Sequence, residues 1–328
     1  MDALSQALRV VHLDGAIFTQ GRFTAPWSYH TPRTDFAAAP PLEGGAQRVM
    51  IFHLIAEGQC FVEMGGQPPV RLHAGEVVVF PHGDAHLMTS TPGLPPPPDG
   101  PLLVLTHSPR HVDYGGGGAA TRLVCGYLAC DAALARLLFA GLPPLLRVDV
   151  RGSNVGHWLE ASVEHALDEA LAPRPGSPGM QARLAEVLFM EVLRLYMAEQ
   201  EPGRTGWLAG MADRIVGGAL NALHTQPAHA WTVDELARAA NTSRSVLSKR
   251  FQQFVGSSPM RYLARWRMLL AANLLARGNA SLARIAEEVG YQTDMAFSRA
   301  FRREHGTPPA AWRRRRTPRA NGAGQTPG

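Results

Sequence analysis

The spacing of apolar positions changes along this chain of 328 residues, and the changes divide it into parts. In residues 1–128 the apolar runs are short, rich in β-branched and aromatic residues, and separated by turns with glycine or proline, which is typical of β-strands. In 129–201 and again in 202–320 the apolar residues recur every three or four positions, which predicts helices. The pattern predicts an α+β protein: an N-terminal β domain, a helical connector and a C-terminal all-α domain, with a disordered tail at 321–328.

The individual elements follow from the same pattern. The predicted strands are Arg48 to Ile55, Gln59 to Met64, Glu76 to Phe80, Leu102 to Thr106 and Leu123 to Cys130. Surface loops rich in proline or glycine are predicted at 92–100 and 115–118. In the connector, helical periodicity predicts a short piece over Leu134 to Leu142 followed by Leu145 to Val148, then Trp158 to Leu167 and Met180 to Gln200.

The all-α part contains one helix-turn-helix pattern twice. In the first copy a helix around Leu236 is followed by a turn and by a second helix that begins after Ser243, and Ile285 and Thr293 take these places in the second copy. The offset between the copies is 50 residues after the turn and 49 before it, so the second turn is one residue longer. Ser243 and Thr293 are the expected N-caps of the two second helices.

Each second helix has an apolar inner face and a polar outer face. Leu247 and Phe251 in one, and Phe297 and Phe301 in the other, lie four residues apart and are expected to pack on the preceding helix. The outer faces combine charged, hydroxyl and amide groups, which suit base edges in the DNA major groove. The predicted DNA-binding residues are Arg244, Ser245, Ser248, Lys249, Gln252, Asp294, Met295, Ser298, Arg299, Arg302 and Arg303.

A long helix, Met260 to Arg277, is predicted between the two copies. About 18 residues give a rod of roughly 27 Å, which suits two reading helices about one DNA turn, ~34 Å, apart. One chain would then read two consecutive major-groove segments. A helical bundle with a merely solvated basic face is the alternative, and the twice-repeated pattern of cap, turn, phenylalanine, glycine and proline disfavours it.

This segment resembles the DNA-binding domain of the AraC/XylS family of bacterial transcription regulators. The resemblance rests on Leu236–Ala237, Ser243–Arg244, Leu247–Phe251, Gly256, Pro259, Ile285–Ala286, Val289–Tyr291, Phe297–Phe301, Gly306 and Pro309. It implies a regulator that is not an enzyme, with double-stranded DNA and RNA polymerase as partners. The short side chains of Ser245 and Ser248 and the acidic Asp294 depart from the family pattern, so the operator sequence cannot be read.

Charge is distributed unevenly. From Asn241 to the end the chain has 16 Lys and Arg against 4 Asp and Glu, whereas the remaining 240 residues hold 16 against 23. A phosphate-binding module attached to a mildly acidic sensor has this distribution. Arg302, Arg303 and the run Arg313 to Arg316 are predicted to contact the DNA backbone. A disordered basic tail is the alternative for the run.

The most informative stretch of the β part runs from Gly75 to His86: a glycine, five residues and Pro-x-Gly-x-x-His. It resembles the second motif of the cupin barrels, in which the histidine returns to the barrel mouth. His53 and Glu57 have the spacing of the later part of the first cupin motif, although Ile51 stands where that motif has its first histidine. The resemblance implies a cupin-like β-barrel with an effector or metal site.

The candidate residues for an effector-binding or metal site are His53, Glu57, His82, His86 and Cys125. The resemblance implies three histidines and a glutamate in a cupin metalloenzyme, so His82 or Cys125 would have to complete a site; imidazole and thiolate suit zinc or another divalent metal. The alternative is that these histidines are hydrogen-bonded barrel residues or contacts to an organic effector. Cys125 is either a redox-sensitive or metal-binding thiol or a buried core residue, and we favour the core.

These parts together predict a transcription regulator whose cupin-like barrel senses a small molecule, a metal or an oxidant and shifts the packing of the connector helices. A cupin-type metal-dependent enzyme fused to a DNA-binding module and a constitutive DNA binder with a degenerate barrel are the two alternatives. The last connector helix has an apolar stripe that fits a dimer interface or packing on its own barrel equally well, and the family resemblance implies the homodimer. The stripe consists of Leu184, Val187, Leu188, Val192, Leu195 and Tyr196.

Two absences bound the location of the protein. No segment reaches 18 consecutive apolar residues, which predicts no membrane partner. Three cysteines that are not clustered fit a reducing cytoplasm better than a disulfide scaffold.

Overall fold

A computed structural model gives the fold of the chain. It describes residues 2–10, 19–33, 47–97, 110–151, 174–198, 205–278 and 280–316, with a few single residues between 158 and 165. The chain separates into two compact units. Residues 12–204 form the first, which we call the cupin-like unit, and residues 1–11 and 205–328 together form the second, which we call the helical unit. Among the described residues, no helix is long and apolar enough to span a lipid bilayer.

The described strands of the cupin-like unit form two sheets rather than one closed barrel. The strands are β1 (Thr19–Thr24), β2 (Ser28–Thr31), β3 (Gln47–Glu57), β4 (Gln59–Glu63), β5 (Val70–His73), β6 (Glu76–Phe80), β7 (His86–Thr89), β8 (Arg110–Gly115), β9 (Ala120–Asp131) and β10 (Leu146–Asp149). The larger sheet has the order β10-β6-β3-β9-β1-β8, and the smaller has the order β2-β7-β4-β5. The predicted strands corresponding to β3, β4, β6 and β9 are confirmed, whereas the strand predicted at Leu102 to Thr106 lies outside the described residues.

A row of aromatic side chains joins the two sheets. Phe23 of β1 lies with its ring centroid 4.7 Å from that of Trp27, and Trp27 stacks on Tyr29 of β2 at 6.0 Å. All three side chains are buried in one apolar cluster that also contains Phe80 and Met88. The aromatic row therefore belongs to the hydrophobic core that holds the sheets together.

The connector is only partly helical. The helices α2 (Ala132–Leu138) and α3 (Ser177–Ala198) confirm two of the predicted pieces, and most of Trp158 to Leu167 lies outside the described residues. The helical prediction for Leu145 to Val148 is wrong, because this segment contains β10, which pairs with β6. Leu146 and Val148 are buried on either side of the exposed Arg147. Short apolar runs do not separate strand from helix by periodicity alone.

The apolar stripe on α3 is largely covered within its own unit. Leu188, Val192 and Tyr196 are buried in the single chain. Phe189, beside them, meets the ring of Phe139 edge-on at 5.6 Å. The structure therefore shows these residues packed within their own chain. The sequence had left this packing open as the alternative to a dimer interface.

The helical unit contains two helix-turn-helix copies joined by one long helix. Its described helices are α1 (Ala3–Val10), α4 (Trp207–Ala212), α5 (Arg214–Thr225), α6 (Val233–Ala239), α7 (Arg244–Val255), α8 (Pro259–Arg277), α9 (Leu282–Glu288), α10 (Asp294–His305) and α11 (Pro309–Arg316). The pairs α6–α7 and α9–α10 confirm the two predicted copies, and α8 confirms the predicted rod. α11 extends over Arg313 to Arg316, which is helix rather than tail.

The first helix belongs to the helical unit, whereas the sequence analysis placed it in the N-terminal β domain. Ala3 and Ala7, one helical turn apart, are fully buried. The backbone N–H of Ala3 donates to Asn221 Oδ1 of α5 at 2.7 Å. Asp2 caps α1 by accepting from the backbone N–H and the hydroxyl of Ser5. The two alanines leave one face of α1 without bulk, so α1 can approach α5 closely.

We expect Ala7→Glu to destabilise the helical unit by about 2 kcal/mol or more, because it places a carboxylate where the side chain is fully buried. Gln6→Glu adds the same charge at a half-buried neighbour on α1 and should have a much smaller effect. Thermal unfolding of the full chain followed by circular dichroism measures both. Equal effects of the two variants would contradict this placement of α1.

Candidate DNA-reading helices and histidine pair

The two copies of the helix-turn-helix have the same caps. The Ser243 hydroxyl accepts from the backbone N–H of Val246 at 3.3 Å, and the Thr293 hydroxyl accepts from that of Ala296 at 3.1 Å. α7 and α10 end at glycines in the left-handed region, Gly256 with φ 72° and Gly306 with φ 71°. These are the N-caps predicted from the sequence, and each satisfies a backbone donor that the first helical turn leaves free.

The extra residue of the second turn is Gln292. Asn241 and Gly290, offset by 49 residues, both have positive φ, at 50° and 80°. The backbone N–H of Thr242 donates to Ala237, and that of Tyr291 donates equivalently to Ala286. The turns are therefore equivalent up to Tyr291, and Gln292 stands between it and the cap.

We call α7 and α10, the second helices of the two copies, the candidate reading helices. Each buries one face and exposes the other, as predicted. Leu247, Phe251, Phe297 and Phe301 are fully buried. Most of the predicted DNA-binding residues are exposed: Arg244, Ser245, Lys249, Gln252, Asp294, Met295, Arg299, Arg302 and Arg303. Ser248 and Ser298 are half-buried at the edge of the same faces. The structure thus places the whole predicted set on two solvent-facing surfaces.

Sequence reasoning missed one residue of these surfaces. Val246 is 42% exposed and Met295 is 66% exposed, and both are large apolar side chains on reading helices. Solvated apolar groups on a polar face are suited to the thymine methyl group. The signal was the place of Val246 next to Ser245, outside the buried stripe of α7.

Arg313 has a structural role. Its guanidinium donates to the carbonyl oxygen of Ala280 at 2.5 Å, and the side chain is half-buried. This bond ties α11 to the segment before α9. Arg313 is thus partly engaged within the helical unit, whereas Arg302, Arg303 and Arg314 are exposed, and contact of these arginines with the DNA backbone stays a prediction.

A part-buried ion pair and a buried hydrogen-bond network connect the helices around α7. Asp213 caps α5 and forms an ion pair with Arg250 of α7. The indole N–H of Trp207 donates to the Tyr262 hydroxyl at 2.6 Å, and that hydroxyl bonds His224 Nε2 at 2.7 Å. Burial lowers the pKa of His224 to about 3, so this imidazole is neutral and Nε2 can accept. These bonds connect α4, α5 and α8 beneath the reading helix.

In the cupin-like unit, His53 and His86 form a buried pair, and their Nε2 atoms lie 2.8 Å apart. His86 Nδ1–H donates to the carbonyl oxygen of Asp84 at 2.9 Å, so His86 Nε2 carries a lone pair. His53 must then donate from Nε2, which leaves its Nδ1 as an acceptor. That atom is buried and has no hydrogen-bond partner among the described residues. The structure confirms that the two histidines predicted from the cupin motifs come together.

Burial keeps both imidazoles neutral. It lowers the pKa of His86 to about 4, although the Asp84 carbonyl opposes the shift. Burial lowers the pKa of His53 well below its usual range, and His86 lowers it further. The Phe80 ring stacks on the His86 ring at 3.6 Å, and Tyr29 meets the His53 ring edge-on at 6.3 Å. The pair therefore lies in an aromatic, low-dielectric interior.

Cys125 lies opposite His53 in the β3–β9 ladder and is buried. Its sulfur is 3.6 Å from the Tyr29 hydroxyl. Burial raises the pKa of the thiol to about 12. A thiol with this pKa is protonated at neutral pH, which disfavours nucleophilic reactivity. The geometry is that of a core cysteine.

Glu57 and His82 do not join the histidine pair. A bulge between Ile55 and Glu57 shifts the alternation of β3, and Glu57 is 64% exposed with an ion pair to Arg122 at 2.9 Å. His82 Nδ1 accepts from Arg48 at 3.2 Å, and Nε2 donates to the Leu142 carbonyl at 3.0 Å. The prediction that these residues share a site with His53 is wrong in both cases.

The candidate residues do not fit a zinc site. A structural zinc ion takes four ligands and a catalytic one takes three with an open position. In the part of the chain that the structure describes, no group of three or more His, Cys, Asp or Glu side chains is arranged to hold a metal ion. His53 and His86 use the nitrogens that face each other for a mutual hydrogen bond.

Comparison with known proteins assigns the family. A family model described as "Cupin" matches residues 2–198, and one described as "Helix-turn-helix domain" matches residues 236–315. A putative AraC-like transcription regulator of Streptomyces lividans is 36% identical over 276 residues, which are 83% of this chain and 89% of the relative. The chain belongs to the AraC family of transcription regulators.

Other relatives match this AraC-family chain over similar or greater lengths. A putative AraC-like transcription regulator of Streptomyces antibioticus is 34% identical over 83% of this chain and 89% of its own. The RCS-specific HTH-type transcriptional activator RclR of Escherichia coli (strain K12) is 26% identical over 96% of this chain and 98% of its own. The second match extends over both the cupin-like and the helical part.

Acidification should destabilise the cupin-like unit, because His86, with its pKa lowered to about 4, and His53 stay neutral in the folded chain. In the unfolded chain both protonate near pH 6.5, so the unfolded state binds more protons and stability falls as the pH falls from about 6.5 toward 4. For His86 the loss is about 2 kcal/mol at pH 5, and His53 adds a loss of the same sign.

Urea unfolding of the full chain at about pH 7.5 and about pH 5 measures this dependence. His86→Gln should make it flatter, whereas His111→Gln, at an exposed position beside Asp113, should have a much smaller effect on it. The same pH dependence in His86→Gln as in the natural chain would show that His86 is not a buried neutral group.

Proposed function

We propose that this AraC-family protein reads two consecutive major-groove segments of double-stranded DNA through α7 and α10, and that its cupin-like unit senses a small molecule at the His53–His86 pair. The exposed faces of two equally capped helices are the single observation that supports the first part. The second part rests on the partnerless acceptor on His53.

The reading residues occupy equivalent positions in the two copies. Ser245 and Met295, Lys249 and Arg299, Gln252 and Arg302, and Arg244 and Asp294 are each separated by 50 residues. Each pair differs in size, charge or hydrogen-bonding groups. Since base readout depends on donors, acceptors and apolar contacts, the two DNA segments should differ in sequence.

An ion pair between Arg244 and Asp234 reduces the number of free cations on the exposed face of α7. Arg244 bonds Asp234 of the preceding helix at 3.3 Å, and the Ser243 and Ser245 hydroxyls are 3.1 Å apart. Arg244 is therefore drawn back toward α6, while Lys249 and Gln252 face solvent. Lys249 is the principal cation of the first reading face, and Arg299 is its equivalent on the second.

The effector proposal follows from the tautomers of the histidine pair. A ligand that donates a hydrogen bond, such as a hydroxyl compound, can satisfy His53 Nδ1, and the nearby rings of Tyr29 and Phe80 offer apolar contact. Binding would change the environment of β3, which pairs with β9, the strand that leads into α2. The effector would thus act on the connector by a population shift.

The alternatives have less support. Metal-dependent catalysis needs a ligand set that the described residues do not assemble. Oxidant sensing at Cys125 needs a thiolate, and burial raises the pKa of this thiol to about 12. A constitutive DNA binder is the second candidate, favoured by the aromatic residues that fill the interior, such as Phe23, Trp27 and Tyr29.

A homodimer, contact with RNA polymerase and a cytoplasmic location stay predictions. The homodimer has lost part of its basis, because Leu188, Val192 and Tyr196 of the α3 stripe are buried within the single chain. The contact with RNA polymerase rests on family membership.

We expect Lys249→Ala and Arg299→Ala each to weaken binding to specific DNA by about 1–3 kcal/mol, because each removes a cation from a reading face. The probes are duplexes that the full-length protein selects from a random library. Titration by fluorescence anisotropy at fixed salt gives the affinities. Each variant should also relax base preference in one segment only, and the two variants should affect different segments.

Arg183→Ala is the matched control, since Arg183 is an exposed helical arginine that pairs with Glu186 in the cupin-like unit. It should leave DNA affinity unchanged. If Lys249→Ala and Arg299→Ala both kept the DNA affinity and base preference of the natural chain, α7 and α10 would not form the DNA interface.

We expect His53→Ala to abolish the response to an effector while DNA binding by the full chain is retained, because the substitution removes the free acceptor. A thermal-shift screen of the full-length protein with small phenols, sugars, zinc chloride and hydrogen peroxide identifies a stabilising compound. The stabilisation should then disappear in His53→Ala.

Cys60→Ala, a truncation in the same buried cluster, controls for damage to packing and should keep the stabilisation. A compound that stabilises His53→Ala as well as the natural chain would exclude the histidine pair as its site. Stabilisation by zinc alone would contradict the assignment of a hydrogen-bonding organic effector.

A further inference from the structure

A single arginine in the middle of α8 contacts the second helix-turn-helix copy and the segment that leads into the first. Arg267 Nε donates to the carbonyl oxygen of Pro227 at 2.7 Å, and one terminal nitrogen donates to His229 at 2.8 Å. The other terminal nitrogen donates to the carbonyl oxygen of Gly290 at 3.2 Å. Pro227 and His229 precede the first copy, whereas Gly290 is the turn of the second.

The segment that Arg267 holds on the first copy is itself ordered. The backbone N–H of His229 and the indole N–H of Trp231 both donate to the Gln226 carbonyl. Thr232 then begins α6 with a capping box to Glu235. A displacement of this segment would therefore move the start of α6, against which α7 packs.

Gly290 makes the same junction tight from the other side. Its φ is 80°, and a Cβ atom there would lie 2.5 Å from the Ala228 carbonyl oxygen and 2.7 Å from Ala228 Cα. The turn of the second copy thus touches the backbone segment before the first. Only glycine allows this approach, because both the conformation and the distance exclude a side chain.

The chemistry of the contact requires arginine. Three separate nitrogens reach three carbonyls, and the guanidinium also lies 5.8 Å from the centroid of the Tyr291 ring. The planar group carries five N–H donors in a fixed fork, whereas lysine has one ammonium centre. A lysine at this position could not satisfy carbonyls that lie on different sides of the fork.

The position of the Arg267 contact on α8 allows it to restrict movement between the two copies. α8 has 19 residues and carries one copy on each half, with Tyr262 and Trp266 buried on the first side and Met268, Ala272 and Leu275 on the second. A helix of this length can bend. The Arg267 contact lies off the helix axis and links the turn of the second copy to the segment that leads into the first. It therefore opposes bending and twisting between the two copies.

We propose that Arg267 and Gly290 form a positioning contact that fixes the spacing at which this protein accepts its two DNA segments. The proposal rests on the two-segment reading under Proposed function. Neither residue is on a reading face, so base preference within each segment is independent of them. Arg267 and Gly290 instead determine how much DNA affinity is lost when the distance between the two segments changes.

The experiment compares DNA duplexes that differ only in this distance. A duplex selected by the full-length natural chain is footprinted to locate the segments affected by Lys249→Ala and Arg299→Ala. One or two base pairs are then inserted between them. The natural chain should lose at least about tenfold in affinity for each insertion, since about 10 base pairs make one turn. Arg267→Met should bind the selected duplex several-fold more weakly and lose most of the insertion penalty.

Matched variants separate positioning from folding. Arg261→Met alters an exposed arginine on the same helix and should keep the full penalty. Gly290→Ala should act like Arg267→Met, whereas Gly306→Ala should not. Gly306 has φ 71° with open space around its Cβ position, so it carries the same backbone strain without the contact. Arg267→Lys should lose the insertion penalty as Arg267→Met does, although it keeps the positive charge.

Each outcome decides between the two proposals. An unchanged insertion penalty in both folded Arg267→Met and folded Gly290→Ala overturns the positioning role and leaves two-segment reading intact. Loss of the penalty in Gly306→Ala to the same extent as in Gly290→Ala would attribute the effect to strain and also overturns it. A natural chain that tolerates every insertion overturns the fixed spacing itself, and with it the proposed mode of reading.

Discussion

Both reading helices depend on one shared helix. α8 contributes buried side chains to the cores of both copies, Tyr262 against Phe251 in the first and Met268, Ala272 and Leu275 in the second. Full burial of a large apolar side chain contributes about 1.5–3 kcal/mol. The orientation of α7 and α10 is therefore established by folding, and the free energy of DNA binding does not have to supply it.

Neutral histidines have different surroundings in the two units. His224 links helices through the Tyr262 hydroxyl, and its Nδ1 is buried without a described partner, in this case as a donor. His53 presents a partnerless acceptor instead, next to a second histidine. This unmet acceptor is the feature on which the proposed effector site rests, whereas His224 connects α5 to α8.

The prediction from sequence was most complete where local signals determine structure. The caps at Ser243 and Thr293, and the buried pairs four residues apart, act within a single helix. The histidine site was predicted only in part. Glu57 turns outward because one bulge shifts the strand alternation, and His82 is held by Arg48 and a distant carbonyl. Neither the bulge nor the hydrogen bonds of His82 can be recognised from the cupin motifs.

The order of the helices from α6 to α10, the buried face of each reading helix and the family of the DNA-binding part could all be inferred from the sequence alone. Three other features became known only from the folded chain: residues 3–10 pack beside α5, Leu146 to Asp149 form a strand, and Arg267 links the turn of the second copy to the segment before the first. Periodicity and capping act over about one dozen residues. Each of these three contacts joins residues far apart in the chain, and folding alone brings them together.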